Sequence, residues 1–243
     1  MSKISVIVPA YNEGEHIYNN LQIISDTLCQ SGLDFEILAV NDGSKDNTGV
    51  EVLKASKAIK GVRDCSYEIN RGKGGAILHG IKNSTGDIVG FLDADLELPA
   101  TLVPGFIEAM EESGCDVVIG SKMHPESKLN YPPLRKVMSV GYYVILKILF
   151  GMKCKDTQTG IKFYRGDLIR AIGSVQKINS YAFDIEQLAL ANSKKAVIRE
   201  MPIELHYTRE GSLSRINIKA IFKMFFDTIR IWWNLRVRKT YSF

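Results

Sequence analysis

The sequence predicts an α/β fold, a mostly parallel sheet with helices on both faces. Two observations carry this. Short apolar runs alternate with stretches of helical periodicity as far as residue 120, the βαβα rhythm of crossover connections. Each run also breaks into a polar or glycine-rich cluster, as strands do when they deliver loops to one edge of a parallel sheet. Bulk composition agrees: 243 residues, 45% hydrophobic and 24% charged, suit one large globular domain, or one domain with an appendage.

Taken in order, residues 4–8 (ISVIV) read as a strand and 16–29 as a helix. Residues 36–40 give a second strand and 48–59 a second helix. A third strand falls within 62–69, followed by a helix over 74–82. Residues 88–92 form the fourth strand, 102–112 a helix and 117–119 a fifth strand. The second half is less regular: a helix over 134–150, the stretch KDTQTGIKFYR, a helix over 183–191 and a strand over 197–205. The tail, 216–238, reads as a long amphipathic helix or helix pair. Lys219, Lys223, Asp227, Arg230, Asn234 and Arg238 recur every three or four residues as one polar stripe beside a wide apolar remainder.

The net charge is mild, 31 − 27 = +4, which gives no argument for nucleic acid. Its placement is uneven, because from Arg209 onward eight basic residues face only Glu210 and Asp227. Cys29, Cys65, Cys115 and Cys154 are scattered without C-x-x-C spacing, so neither a zinc site nor a disulfide framework is indicated and a reducing cytosol fits. The start lacks a signal-peptide pattern, and no window is apolar enough to span a bilayer as a helix.

The strand ends hold the chemistry. The run 88–92 passes straight into Asp93, Asp95 and Glu97. In an extended chain side chains two apart point the same way, so the three acids converge if the strand continues past Leu92. Anions that close need a cation between them, and hard oxygen ligands of this kind suit Mg²⁺ or Mn²⁺ shared with substrate phosphates. The plain alternative is helix capping, with Glu97-Leu98-Pro99 opening the helix that follows. After the first strand, VPAYNEGE offers a polar, aromatic loop (Tyr11, Asn12, Glu13) that could hold a flat ring or simply turn. After the second, Asn41-Asp42-Gly43 is a tight-turn signal, Asp46-Asn47-Thr48 supplies caps, and Asp42 could accept from a ribose hydroxyl or a base N–H. After the third, NRGKGG puts Lys73 among Gly72, Gly74 and Gly75, which allow close backbone approach to a ligand, without P-loop spacing. Each signal alone is weak. Together, at four successive strand ends, they favour a nucleotide-diphosphate site in which carboxylates hold a divalent cation against the diphosphate.

The order VPAYNE, NDGS, RGKGG, DADLELP, GSK, DTQTGIKFYR and FDIEQ resembles the family 2 glycosyltransferases of the GT-A fold, over about residues 5–215. Within them it is similar to the polyprenyl-phosphate branch, the dolichyl-phosphate glucosyltransferases and dolichol-phosphate mannose synthases. RGKGG, residues 156–160 and residues 182–186 point to the glucosyl side. The resemblance implies an inverting, metal-dependent transfer of a hexose from a nucleotide sugar, UDP-glucose first, to a polyprenyl phosphate. It implies that Pro9, Tyr11, Glu13, Asp42, Asn70, Lys73, Asp93, Ala94 and Asp95 hold the nucleotide sugar. Asp93, Asp95 and Glu97 would hold Mg²⁺ or Mn²⁺. Asp95, Lys73 and Asp184 would form the catalytic group, Asp184 standing where relatives that act on hydroxyls often keep a base; here it could instead orient the sugar or cap a helix.

A phosphomonoester is largely a dianion at neutral pH and needs cations more than a base; Lys122, Arg135 and Arg209 are the candidates. Two positions depart from the family pattern: Asn41 replaces an acid, and Lys122 replaces an arginine, a point charge for a bidentate one. The implied organisation is a GT-A domain over 1–210 and a basic amphipathic helical extension over 211–243. That extension would lie on an anionic membrane at its cytosolic face, unless its apolar face packs on the catalytic domain or on a second copy of the chain. Rival readings are a family 2 enzyme acting on a hydroxyl, a GDP-mannose-using relative, and an inactive nucleotide-binding scaffold.

Overall fold

The computed structural model describes residues 2–128, 133–204 and 218–242, with side chains described outside 133–137 and 218–221. Seven strands form one sheet: β1 (Ile4–Ala10), β2 (Phe35–Asn41), β3 (Val62–Asp64), β4 (Ile88–Leu92), β5 (Val117–Ser121), β6 (Ile161–Arg165) and β7 (Ile198–Pro202). Their order across the sheet is β3-β2-β1-β4-β6-β5-β7. All run parallel except β6, which lies antiparallel between β4 and β5. Consecutive strands step outward from β1 to β3, and β4 then returns to the other side of β1. That reversal opens a crevice at the carboxyl ends of β1 and β4, the usual place for a ligand in such sheets.

The expected elements are present, with ends shifted by a few residues. The helices are α1 (Ile17–Gln30), α2 (Thr48–Ala58), α3 (Lys73–Asn83), α4 (Leu102–Ser113), α5 (Pro133–Phe150), α6 (Gly166–Val175), α7 (Phe183–Ser193) and α8 (Ile218–Trp232). A π-helical turn, Trp233–Val237, extends α8. Strand β6 and helix α6 are not among the elements that the sequence predicts. The final strand is shorter than its predicted span of 197–205, whose last residue lies outside the described residues.

Two apolar layers cover the sheet. Helices α1, α2 and α4 seal one face through residues such as Leu21, Ile24, Val52 and Phe106. On the other face α3, α5, α6, α7 and α8 surround a core that includes Ile77, Phe150, Ile172 and Leu188. The alternation in β6 serves both, with Ile161 and Phe163 in the first layer and Tyr164 in the second. Helix α7 is buried from Phe183 to Ala191. Its polar side chains therefore need internal partners: Glu186 accepts from Lys177 N–H at 3.0 Å, Ile178 N–H at 2.8 Å and the Tyr241 hydroxyl at 2.5 Å, and the partner of Asp184 is described below.

At the amino edge of the sheet, buried Glu36 gathers three elements. It accepts from the Ser5 hydroxyl at 2.6 Å, from Thr85 N–H at 2.7 Å and hydroxyl at 2.9 Å, and from the Arg63 guanidinium. Burial alone would raise its pKa, but these donors outweigh burial and bring it down to about 2.

Candidate active site

The loops after β1 and β2 are stitched together by side chains. Asn12 N–H donates to Ser44 Oγ (3.0 Å), and Asn12 Oδ1 accepts from Lys45 N–H (3.0 Å). Gly14 N–H donates to Asp46 Oδ2 (3.0 Å) and Glu13 N–H to Thr48 Oγ1 (2.9 Å). Asp46 also accepts from the Thr48 amide and hydroxyl, so it is Asp46 rather than Asn47 that caps α2. Asn12 sits at φ 55, a left-handed conformation that asparagine tolerates. The result is a fixed rim holding Tyr11 and Glu13 over the crevice.

Asp42, only 3% exposed, is fixed from the third strand end. The Tyr67 hydroxyl donates to Asp42 Oδ1 at 2.5 Å and Arg71 N–H at 2.7 Å, while Asn70 Nδ2 donates to the Asp42 carbonyl at 2.9 Å. The Arg71 guanidinium lies 4.4 Å above the Tyr67 ring. Tyr67 and Arg71 were missed in the sequence, since nothing in their local spacing shows that they close on a residue some 25 positions earlier.

The glycines of RGKGG do something other than predicted. Gly72 lies at φ +81, and a Cβ there would meet the Asn179 carbonyl oxygen at 2.9 Å. A Cβ at Gly74 would strike Phe183 Cβ at 2.7 Å and the Asn179 backbone at 2.9 Å. These glycines admit the turn before α7, whose Asn179 carbonyl accepts from Gly74 N–H at 3.1 Å. Lys73 opens α3 and forms an ion pair with Asp93 Oδ1 at 2.5 Å. Burial pulls its ammonium pKa down, but Asp93, Asp184 and Asp95 outweigh burial and hold it above the usual lysine range.

The convergence of three carboxylates is corrected by the structure. The strand stops at Leu92; Leu96 N–H bonds back to the Asp93 carbonyl at 3.3 Å, and Leu96 takes φ 50. The alternation of an extended chain therefore ends before the acids begin. Asp93 and Asp95 remain in the crevice, whereas Glu97 does not line it. Among the described residues no group of three or more His, Cys, Asp or Glu is placed to hold a metal ion. Asp95 is pushed above the usual carboxylate range by burial and by the charge on Asp93. Two crowded oxygen-donor groups at an open cleft fit Mg²⁺ or Mn²⁺ shared with substrate phosphates, not a cation caged by protein.

These walls enclose a cleft of about 460 Å³. Pro9, Tyr11, Glu13, Asp42, Asn70, Lys73, Asp93, Ala94 and Asp95, the whole predicted nucleotide-sugar set, line it, joined by Tyr181 from the turn before α7. Asp184 does not reach it as a free acid. It is 6% exposed, and Lys162, with no exposure at all, donates to its Oδ1 at 2.7 Å and to the Thr159 carbonyl at 2.6 Å. Burial draws this pair toward its neutral forms, raising Asp184 and lowering Lys162, while each partner's charge opposes the shift in the other. Lys162 went unnoticed in the sequence because a lysine inside IKFYR looks like a surface residue. Of the acceptor candidates, Lys122 does not line the cleft; its ammonium is 3.7 Å from Asp156 Oδ2 and its backbone N–H 2.8 Å from the same oxygen. The side chain of Arg135 and all of Arg209 lie outside the described residues.

A glycosyltransferase of the GT-A type is the class that this sheet order defines, with its acidic pair beyond β4 and its cleft at the switch point. The chain belongs to glycosyl transferase family 2, whose family model matches residues 5–173. It is 31% identical over 239 residues to a dolichyl-phosphate beta-glucosyltransferase of Trichomonas vaginalis, covering 93% of this chain and 69% of that protein. It is 30% identical over 226 residues to a dolichol-phosphate mannosyltransferase of Pyrococcus furiosus, covering 91% of this chain and 61% of that protein. Glucosyl-3-phosphoglycerate synthase of Mycobacterium tuberculosis, solved with Mn²⁺, uridine diphosphate and phosphoglyceric acid, superimposes with a TM-score of 0.71 at 19% identity, covering 96% of this chain and 78% of that one. The same enzyme solved with Mg²⁺ and uridine diphosphate gives a TM-score of 0.70.

Proposed function

We propose that this glycosyltransferase moves a hexose from a nucleotide sugar, UDP-glucose first, to a polyprenyl phosphate with inversion at the anomeric carbon. The observation that carries the phosphate acceptor is the state of Asp184. An enzyme acting on a hydroxyl needs a carboxylate free to take its proton. Here the carboxylate at the position where such a base would stand is buried and committed to Lys162 at 2.7 Å. A phosphomonoester arrives already ionised and needs no such base. The names of the Trichomonas and Pyrococcus relatives support the same acceptor class.

In this reading Tyr11, Glu13 and Asp42 receive the nucleoside, and Lys73 stabilises the charge that develops on the leaving diphosphate. Asp93 and Asp95 would hold a divalent cation, which when bound supplies further stabilisation of that diphosphate. Arg209 and Arg135 remain proposed partners of the acceptor phosphate. Lys122, tied to Asp156, would position residues 156–160 and not the acceptor.

Residues 1–210 act as the catalytic domain and the segment from 211 onward as its interfacial extension, working at the cytosolic face of a membrane. The exposed row Phe222, Phe226, Ile229 and Trp233, with Lys223 and Arg230 beside it, supports contact with an anionic lipid surface. Among the described residues no helix is long and apolar enough to cross a membrane.

The test is a screen of radiolabelled UDP-glucose, UDP-N-acetylglucosamine and GDP-mannose against a polyprenyl phosphate with Mg²⁺ or Mn²⁺. Label from UDP-glucose should enter the organic phase, and excess chelator should abolish the transfer. Label that enters only a water-soluble product would overturn the lipid acceptor.

A further inference from the structure

A second cavity, about 230 Å³, lies against the nucleotide cleft. Gly72, Lys73 and Tyr181 line both spaces, so the two share a wall. The far side of the second cavity is formed by Lys223 and Met224 of α8, and the remaining side by the turn 179–182. Two hydrogen bonds fix that turn: Gly74 N–H donates to the Asn179 carbonyl at 3.1 Å, and the Ser180 hydroxyl donates to Asp227 Oδ2 of α8 at 2.6 Å. Met224 is backed by Gln158, whose Nε2 faces its sulfur.

We propose that this second cavity seats the phosphate head and first isoprene units of the lipid acceptor, with Lys223 as the positioning cation; the proposal rests on the function stated above. Three features carry it. An acceptor must present its oxygen to the anomeric carbon beside the departing diphosphate, so its site has to share a wall with the donor cleft. This cavity does, and the shared wall holds Lys73, which pairs with Asp93 at 2.5 Å. The charge is also suited. Lys73 and Lys223 are both in the lining, which contains no acid, and Asp227 next to Lys223's turn is engaged by Ser180.

The third feature is where the cavity leads. Met224, Ala182 and the Tyr181 ring give it an apolar side, and α8 continues outward with Phe222 (60% exposed) and Phe226 (67% exposed). A hydrocarbon chain leaving the cavity would find that row next, ahead of Ile229 and Trp233. In the transfer, a phosphate oxygen forms the bond to the anomeric carbon as the bond from that carbon to the nucleotide diphosphate breaks. The electron pair leaves on the diphosphate, and no proton needs to move.

The experiment uses the full chain with farnesyl phosphate, glycerol phosphate and farnesol as probes, read by transfer kinetics and by equilibrium dialysis of radiolabelled farnesyl phosphate. Losing one charge-assisted contact should raise the KM for farnesyl phosphate roughly tenfold in Lys223→Ala, leave the KM for UDP-glucose unchanged, and be largely restored in Lys223→Arg. Met224→Trp, which fills the cavity, should weaken farnesyl phosphate retention at an unchanged melting temperature. Glycerol phosphate and farnesol should each be poor ligands. Transfer to farnesyl phosphate that is indifferent to both substitutions would overturn the cavity assignment and leave the proposed function standing. Equal retention of glycerol phosphate would overturn the lipid assignment. Neither transfer to nor retention of any polyprenyl phosphate by the unsubstituted protein would overturn both.

Discussion

The two halves of the sheet are held together by different means. From β1 to β4, polar side chains stitch the structure at both ends of the strands: Glu36 gathers Ser5, Arg63 and Thr85 at the amino edge, and four side-chain to backbone bonds join the loops 12–14 and 44–48 at the carboxyl edge. From β5 onward polar bonds also tie segments together, Glu186 accepting from Lys177 N–H, Ile178 N–H and the Tyr241 hydroxyl, but a buried ion pair sits among apolar helices, and α8 turns aromatic residues outward. The first arrangement fixes polar atoms in place before a ligand arrives, which suits a nucleotide with many hydrogen-bonding groups. The second leaves greasy surface beside a cavity, which suits a ligand that is mostly hydrocarbon.

The largest expected effect breaks the first half at its chemical centre. Asp95→Ala should lower turnover about a thousandfold or more with little change in melting temperature, because Asp95 lines the cleft and its side chain accepts one long bond, from Glu97 N–H at 3.2 Å. Removal of divalent cation should reproduce the loss; full activity in excess chelator would remove both acids from the metal role.

Next in size is the ion pair of the second half. Lys162→Met leaves Asp184 buried and unpaired, and urea unfolding should show a loss of about 3–5 kcal/mol. Adding Asp184→Leu should recover most of it. A single substitution that unfolds no earlier than the double would show that the pair is not the fastening of this half.

The amino-edge stitch can be probed through pH. Glu36 has its pKa lowered from 4.5 to about 2 on folding, so its stabilisation is complete above pH 4.5 and disappears as pH falls toward 2. Glu36→Gln should therefore cost about 3 kcal/mol at pH 7 and much less near pH 2. Equal losses at both pH values would mean that charge is not what the donors recognise.

A smaller change tests the nucleotide rim. Asp42→Ala strands the Tyr67 hydroxyl and Arg71 N–H, and should weaken donor binding and free-nucleotide inhibition together by about tenfold. Asn41→Ala, which loses only the bond from Ser44 N–H at 3.1 Å, should matter less. Matching, negligible losses would place the nucleoside elsewhere. The smallest effect on the fold belongs to the tail: combined Phe222→Ser, Phe226→Ser and Trp233→Ser should change stability by under about 1 kcal/mol yet abolish salt-sensitive flotation with anionic vesicles. If the unsubstituted protein does not float at low salt, the exposed row instead meets a second copy of the chain, and sedimentation would show it.

The same division explains what the sequence could reveal. In the first half, each apolar run is followed by its site residues, and nine of them proved to share one cleft. The projection beyond Leu92 failed because Leu96 turns left-handed without being a glycine, which no local pattern announces. In the second half, the rule of looking just after a strand does not apply to β6. Running antiparallel, it brings its beginning to the site edge, so the residues before it matter: Asp93 N–H donates to the Gly160 carbonyl at 3.2 Å. The tail was legible as a helix, but its orientation was not. Asn234 of the polar stripe is 9% exposed and Asp227 bonds Ser180, while the phenylalanines face out. Which side of a helix docks is set by partners distant in sequence, such as Tyr142, whose hydroxyl meets Thr228 Oγ1 at 2.6 Å.

The placement of β6 also governs how the chain can be assembled as it is made. Strands β4 and β5 are not neighbours; β6 separates them, pairing with both. Until residue 165 has left the ribosome, the inner edges of β4 and β5 both stand unpaired, each an open template for another strand. A fragment ending before Ile161 would expose those edges and lack Lys162, the partner of a carboxylate still to be synthesised. Residues 161–165 thus close the sheet, and a chain halted between β5 and β6 leaves two strand edges open to wrong pairing.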